Sequence, residues 1–310
     1  MYPASFEYFA PRTLEEALQT LDRFGEEGKV IAGGQSLIPL MKLRFAAPRA
    51  LIDINRIDGL DELGERDGQL RFGALVRHKT CERSELLRGR YGVFGEAARQ
   101  IADPIVRNLG TVAGSLAHAD PQGDWPSVML AARGEIVARS SDGERTIAID
   151  EFLQGPFTTA LEPNEIVTEI RVPAPTGRAG GAYEKLERKI GDFATAGVAV
   201  HLTFANGSVE AAGIALTAVG PTNLRASAAE QALAGRVLDD AAIDEASRLA
   251  GEAAQPHDDT RGSAEYKRNV IRVLTARALR RAAADGQEEE FAGHETIEGV
   301  MEEISEKEDA

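Results

Sequence analysis

The chain is short of the residues on which several chemistries depend. It has 310 residues and a single cysteine, Cys81. One thiol builds no disulfide framework and cannot hold a cysteine-ligated iron–sulfur cluster within this chain. Histidine occurs five times, tryptophan once, and aromatic residues make up 5% of the chain. No apolar run approaches the roughly 18 residues that a membrane-spanning helix needs. The opening segment, MYPASFEYFAPRTLEEAL, has neither a basic start nor an apolar stretch, so no signal peptide is expected. Positive charge is scarce too: 35 Lys and Arg against 50 Asp and Glu give a net charge of −15. Such a surface repels nucleic acid and anionic membranes. Together these absences fit a cytoplasmic protein. The acidity suits either a halophile's cytoplasm or an ordinary acidic soluble protein with an acidic tail, since charge governs solubility rather than fold.

What is present is a globular composition, 43% apolar, long enough for two or three domains and a sizeable core. Near the N-terminus, Thr13 with Glu16 three residues on reads as the cap of an amphipathic helix over Ala17–Phe24. A strand at Lys29–Ala32, a helix at Ile38–Leu43 and a strand at Leu51–Ile54 imply a small α/β unit. Further strands are expected at 69–75, 135–139, 145–148 and 166–172, and helices around 81–87 and 96–101. Pro173–Gly177 reads as a domain boundary. Beyond it, two strands flank the Asn206-Gly207 hairpin signal, and helices follow at 229–234, 241–255 and 264–284. After Gly286 the composition turns acidic and polar, as in a solvated, disordered extension with at most one frayed helix. The expected division is 1–175, with lobes of about 1–56 and 57–175, then 176–284, then an acidic tail at 285–310.

Two stretches stand out. Ala32-Gly33-Gly34-Gln35-Ser36 follows directly on a strand; glycines there can turn successive N–H groups toward an anion, although taken alone the segment reads better as a plain turn. The second is the run Gln100–Ala131, with Gly110, Gly114, Gly123 and the only tryptophan, Trp125. Within it Thr111–Ser115 reads as another small-residue loop, and Asp124 stands where a carboxylate could meet a ribose hydroxyl or cap a helix. Neither stretch is a dinucleotide fingerprint or a Walker loop. His78 reads as structural, Cys81 as a bystander thiol without a basic partner. His118 and Asp120 lack a second His or Cys at ligand spacing, so no metal is expected. Two donor-rich segments in one acidic chain imply a large anionic ligand neutralised locally by backbone amides.

The pair AGGQSLIPLMKLR (Ala32–Arg44) and RNLGTVAGSLAHADPQGDWP (Arg107–Pro126) resembles the FAD-binding medium subunit of the carbon monoxide dehydrogenase and xanthine dehydrogenase family of molybdenum hydroxylases. Leu51–Asn55 with Ile57–Leu60, Phe72–Ala74 with His78, Tyr183–Asp192, Gly220–Ala226 and Asp258–Tyr266 are similar to further family segments, over about residues 1–284.

The resemblance implies an α+β fold: a two-lobed FAD-binding domain of the vanillyl-alcohol-oxidase (PCMH) type, then an antiparallel sheet with a helix bundle. By motif position it places Ala32, Gly33, Gly34, Gln35, Ser36 and Leu37, with Thr111, Ala113, Gly114 and Ser115, at the pyrophosphate. It places Asp124 at the adenosine end, Ile101 and Val167 as apolar walls, and Lys185 near the cofactor. Tyr183–Asp192 is implied as a flavin-side loop, and Phe193 as an aromatic facing the flavin. Phe lacks the hydroxyl of a Tyr found there in relatives, so it carries no proton-gating role. Ala113 replaces a usual glycine and fits only with negative φ. A branched side chain at Gly34 is expected to enter the phosphate position.

The implied function is an electron relay without catalytic side chains in this chain. Substrate is oxidised at a molybdenum cofactor in a large subunit, and electrons pass through [2Fe–2S] clusters of a small subunit to non-covalent FAD here and on to an external acceptor. The implied assembly is a dimer of heterotrimers. Two rivals keep the fold: a stand-alone flavin oxidase, against which residues 176–284 are poor in His and Tyr, and a scaffold subunit with a degenerate site, against which both small-residue segments are intact. The substrate stays open among carbon monoxide, purines, aldehydes and aromatic acyl-CoA compounds.

Overall fold

A computed structural model describes residues 2–292, with side chains described through Asp285. The first lobe contains β1 (Glu7–Phe9), α1 (Leu14–Phe24), β2 (Gly28–Ile31), α2 (Leu37–Lys42) and β3 (Ala50–Asp53). Its strands pair in parallel in the order β1-β3-β2. The Thr13 hydroxyl caps α1 by accepting the Glu16 N–H at 3.2 Å, and the Glu16 carboxylate accepts the Arg12 N–H at 2.9 Å. Ala17, Leu18, Leu21 and Phe24 recur at helical spacing and form the buried face of α1.

The second lobe opens with β4 (Leu63–Arg66) and β5 (Gln69–Gly73). Five short helices follow: α3 (His78–Arg83), α4 (Gly92–Gln100), α5 (Pro104–Leu109), α6 (Val112–His118) and α7 (Asp124–Ala131). The lobe closes with β6 (Glu135–Ser140), β7 (Gly143–Ala148), α8 (Ile149–Phe152), β8 (Leu153–Gly155), β9 (Thr158–Thr159) and β10 (Ile166–Pro173). Its main sheet runs β4-β5-β10-β6-β7 and is antiparallel. The segment Thr111–Ser115, expected as a loop, is the capped first turn of α6. Small residues are read as loop by composition, yet Ala at 113 and Thr at the cap favour a helix start.

The C-terminal part holds β11 (Ala179–Leu186), β12 (Ala196–Ala205), β13 (Ser208–Thr217) and β14 (Leu224–Arg225), paired antiparallel in that order. After them come α9 (Ser227–Leu233), α10 (Asp240–Ala253) and α11 (Ala264–Ala292). Two expectations change here. Residues 183–186, expected within a loop, finish a strand, because β12 offers them a full ladder as far as Leu186↔Ala196. Helix α11 continues to Ala292, so residues 285–292 are helical rather than tail; the remainder of the expected tail lies outside the described residues.

This sheet is buried on both faces, which hides the alternation a half-exposed sheet would show. Ala182, Val198, Val200, Ile214 and Leu216 face the helices, whereas Tyr183, Ala199 and Ala215 join the core of the N-terminal lobes. The latter face is built of small residues so that α7 can lie directly on it. A Cβ at Gly213 would come within 2.6 Å of the Ala131 carbonyl carbon.

Candidate cofactor site

The first segment turns between β2 and α2. Gly34 has φ of 68°, a left-handed conformation that favours glycine. Asn55 Nδ2 donates to the Ala32 carbonyl at 2.8 Å, and Gln35 Nε2 donates to the Gly33 carbonyl at 3.0 Å. Among the described residues, none of the five backbone N–H groups from Gly33 to Leu37 has an acceptor within the chain. Backbone donors are satisfied in folded proteins as a rule, so five consecutive unused ones form a cradle that fits an anion such as a pyrophosphate. Leu37 opens α2 and Ser36 precedes it, half-turned to solvent.

The second segment packs against the first. A Cβ at Gly33 would lie 2.7 Å from the Gly110 Cα, so only glycine lets the two backbones approach this closely. The Thr111 hydroxyl accepts the Gly114 N–H at 3.0 Å, and the Ala113 N–H has no acceptor among the described residues. Ala113 is helical, so its φ is negative and the condition on its extra methyl is met. Gly114 and Ser115 lie on the accessible side of α6.

Two residues that sequence reasoning missed tie the segments together. The Arg77 guanidinium donates to the Leu109 carbonyl and to Asn55 Oδ1, and Asn55 in turn holds Ala32. The Arg77–Thr111 bridge is completed by His78 N–H to the Gly110 carbonyl at 3.0 Å and Val112 N–H to the Val76 carbonyl at 3.1 Å. Asn55 at the end of a strand was a usable signal; nothing in the sequence marks Arg77.

The expectation for Gly34 is corrected. Its Cβ would point at Ile38 Cδ1 (2.8 Å) and Ile31 Cδ1 (3.1 Å), into apolar packing rather than the anion position. A valine there strains the turn itself and does not probe the ligand.

Asp124 is the first residue of α7, capped instead by Gly123, and is 8% exposed. Its Oδ1 accepts the Tyr183 hydroxyl at 2.6 Å and its Oδ2 accepts Lys185 Nζ at 3.1 Å. Lys185 also donates to the Gln100 carbonyl at 3.1 Å and stands 3.5 Å from Glu187 Oε2. Burial raises the Asp124 pKa, against the opposing pull of the Lys185 ammonium and the Tyr183 hydroxyl. Burial and the Asp124 carboxylate push the Tyr183 phenol well above its ordinary value. The cluster is an interdomain joint: Asp124 belongs to the second lobe, Tyr183 and Lys185 to β11.

The histidine beside it is structural, as expected. His78 Nδ1 accepts the Trp125 indole N–H at 3.0 Å, and burial lowers its pKa to about 3. Cys81 is fully buried, and burial raises its pKa.

Ile101 caps the C-terminus of α4 and is half-buried; Val167 lies in β10 beside a register irregularity and is 7% exposed. The Thr168 carbonyl accepts the Ala74 N–H at 3.0 Å, just beyond β5 on the segment that leads to Val76 and α3. Phe193 projects from the β11–β12 connection and is 53% exposed. That connection rests on Ala102: a Cβ at Gly191 would lie 2.7 Å from the Ala102 carbonyl oxygen. Helix α5 begins two residues beyond Ala102 and ends at Leu109, whose carbonyl touches Gly33. Thus Gly33–Leu37 and Thr111–Ser115 meet at one end of α5, and Ile101, Lys185 and the Phe193 connection gather toward the other.

Comparison with known proteins gives this arrangement a family. Residues 4–175 match the FAD binding domain in molybdopterin dehydrogenase, and residues 181–282 match the CO dehydrogenase flavoprotein C-terminal domain. The chain is 42% identical over 284 residues to the carbon monoxide dehydrogenase medium chain of Hydrogenophaga pseudoflava, covering 92% of this chain and 99% of that one. It is 37% identical over 283 residues to the 6-hydroxypseudooxynicotine dehydrogenase complex subunit alpha of Paenarthrobacter nicotinovorans, covering 91% and 96%. The solved carbon monoxide dehydrogenase from Hydrogenophaga pseudoflava lacking the Mo-pyranopterin moiety superposes with a TM-score of 0.88 at 44% identity, covering 92% and 99%. The chain therefore belongs to the FAD-binding medium subunits of the molybdenum hydroxylases, oxidoreductase complexes whose molybdenum cofactor and iron–sulfur clusters reside in other subunits.

Proposed function

We propose that this chain is the flavin station of such a complex, taking electrons from [2Fe–2S] clusters of a small subunit and passing them to an external acceptor. The observation that carries this reading is the pair of segments Gly33–Leu37 and Thr111–Ser115, joined where Gly33 packs on the Leu109–Gly110 backbone, with unused donors at Gly33–Leu37 and Ala113. Bound FAD supplies the redox chemistry, coupling two-electron and one-electron carriers. The residues of this chain bind and orient it. Amides of Gly33–Leu37 and Ala113, with the Ser36 and Ser115 hydroxyls, neutralise the pyrophosphate in a chain whose overall charge repels it. Arg77 and Asn55 keep the two segments in contact. Ile101 and Val167 provide apolar walls, and Phe193 faces the flavin.

Asp124, with one donor on each oxygen, fixes Lys185 beside the cofactor and keeps lone pairs for the adenosine end that its motif position implies. Cys81 is fully buried and His78 is buried and bonded to Trp125, which favours non-covalent FAD. The assembly is a dimer of heterotrimers in the cytoplasm, and the oxidised substrate is selected by the large subunit.

The test is a mild affinity isolation of the full chain from its host, with co-purifying chains identified by mass and flavin, iron and molybdenum quantified. Stoichiometric small and large subunits with all three cofactors support the relay. Flavin alone, with no partner retained by crosslinking, overturns it in favour of a stand-alone oxidase.

A further inference from the structure

The β11–β12 connection, residues 187–195, presents an exposed ring on a backbone that is held at several points. Its base is closed by Thr195 N–H to the Leu186 carbonyl at 2.7 Å, and its corner by Asp192 N–H to the Lys189 carbonyl at 3.0 Å. The Phe193 N–H donates to Asp192 Oδ1 at 2.8 Å. The remaining hold comes from a distant part of the chain. Arg261 Nη2 donates to Asp192 Oδ1 at 3.1 Å, and its Nη1 donates to Asp192 Oδ2 at 3.3 Å and to the Phe193 carbonyl at 2.9 Å. Arg188 Nε adds a bond to Asp192 Oδ2 at 3.2 Å. The Arg261 and Asp192 side chains are 12% and 11% exposed, whereas the Phe193 ring stays half-open.

Arg261 is itself anchored. Its N–H donates to Asp259 Oδ1 at 2.8 Å, and Asp259 Oδ2 pairs with the buried Lys267 ammonium at 2.7 Å. Lys267 also donates to the His257 carbonyl at 3.1 Å and sits in α11. The Asp258–Ser263 turn is therefore a bracket fixed to the longest helix, and its arginine fork grips the corner that bears Phe193. A guanidinium suits this task because one planar group serves a carboxylate and a carbonyl together. Arg261, first among its partners, holds the Asp192 carboxyl down to about 2, so the grip stays charged at any ordinary pH.

We propose that Arg261 is a positioning residue that fixes the Phe193 ring against the flavin and thereby limits solvent access to it. This rests on the reading that FAD occupies the Gly33–Leu37 cradle. The corner rests on Ala102, two residues before α5, and the Leu109–Gly33 contact lies at the far end of that helix, so the Phe193 corner and the cradle stand at opposite ends of one short helix.

The experiment uses the full chain loaded with FAD, repeated in its complex. Arg261→Gln, Arg261→Lys, Asp192→Asn, Phe193→Ala and the Arg261→Gln/Phe193→Ala pair are compared. The readouts are FAD occupancy, visible circular dichroism of the bound flavin and iodide quenching of its emission. R261Q is expected to keep FAD, and F193A is compared at the same bound-flavin concentration. Each should raise the quenching constant about twofold, since a ring over one flavin face leaves the other open. The double variant should add nothing further, because both changes uncover the same face. R261K should fall between wild type and R261Q, as it keeps the charge and loses the fork. D192N breaks the grip from the loop side and serves if R261Q fails to fold. Wild-type quenching and dichroism in R261Q or D192N, with F193A altered, overturn the role of Arg261. No change in F193A overturns the placement of Phe193. A wild-type chain that binds no FAD sinks the underlying reading instead.

Discussion

Removing the Lys185 side chain by Lys185→Met tests the joint between the FAD-binding lobes and the C-terminal sheet. Lys185 is 1% exposed at its side chain and Asp124 8%, with Nζ and Oδ2 3.1 Å apart. Without the ammonium, Asp124 retains one donor, the Tyr183 hydroxyl at 2.6 Å. Breaking a buried pair from one side destabilises by about 3–5 kcal/mol, and the surviving hydroxyl bond places K185M near the lower end. A loss of about 3 kcal/mol corresponds to roughly 6–12 °C in melting temperature for a chain of this size. The variant K185M/D124N removes the stranded charge while keeping an acceptor for Tyr183. It should recover most of the deficit, giving a coupling of about 2 kcal/mol. The sign of the pH effect follows from burial. With no ammonium nearby, the folded pKa of Asp124 rises above its unfolded value of about 3.9. Its contribution is present at low pH and lost as pH rises through the folded value, so the K185M deficit is small near about pH 4 and full near about pH 8. Trp125, the only tryptophan, is buried next to Asp124 in sequence and reports the transition by its fluorescence in urea. A K185M midpoint within about 0.5 kcal/mol of wild type at neutral pH, or a double variant no better than K185M, would refute the reasoning.

Three further outcomes are expected. Ser36→Asp puts a carboxylate beside the cradle of unused amides on a half-exposed turn. FAD occupancy should fall at least about tenfold with the apoprotein melt unchanged, and full occupancy would move the pyrophosphate elsewhere. His78 has its folded pKa depressed to about 3 by burial, then by Arg77 and Arg107. Its stabilisation is complete above its unfolded value of about 6.5 and is lost toward lower pH at about 1.4 kcal/mol per unit. His78→Gln, which keeps an acceptor for the Trp125 N–H, should flatten the acid limb of the stability profile by that slope; an unchanged limb counts against a buried neutral imidazole. Acid precipitation of the holoprotein should leave all flavin in the supernatant; flavin retained in the pellet would establish a covalent link.

The elements legible in the sequence were those whose signals are local. The Thr13 cap with Glu16 starts α1, and the Asn206-Gly207 turn joins β12 to β13. The spacing of Ala17, Leu21 and Phe24 declares the buried face of α1. The glycine-rich segments were visible because a backbone brought close to another backbone or an anion tolerates few residue types. Gly33 against Gly110 is that case.

What the sequence by itself determined is therefore the elements with local signals, the family and the two donor-rich segments. Only the tertiary structure decided what those segments are and what holds them. Thr111–Ser115 is a capped helix start, and Gly34 turns its missing Cβ toward Ile31 and Ile38. Asp124, read locally as a ribose or capping carboxylate, is claimed by Lys185 and Tyr183, about sixty positions away in the chain. Arg77 and Arg261 give no local signal, yet each grips backbone from a remote segment. The physical reason is common to all of them. Capping, turns and helical periodicity are settled within a few residues, whereas the partner of a buried charge or a long side chain depends on which surfaces the folded chain brings together.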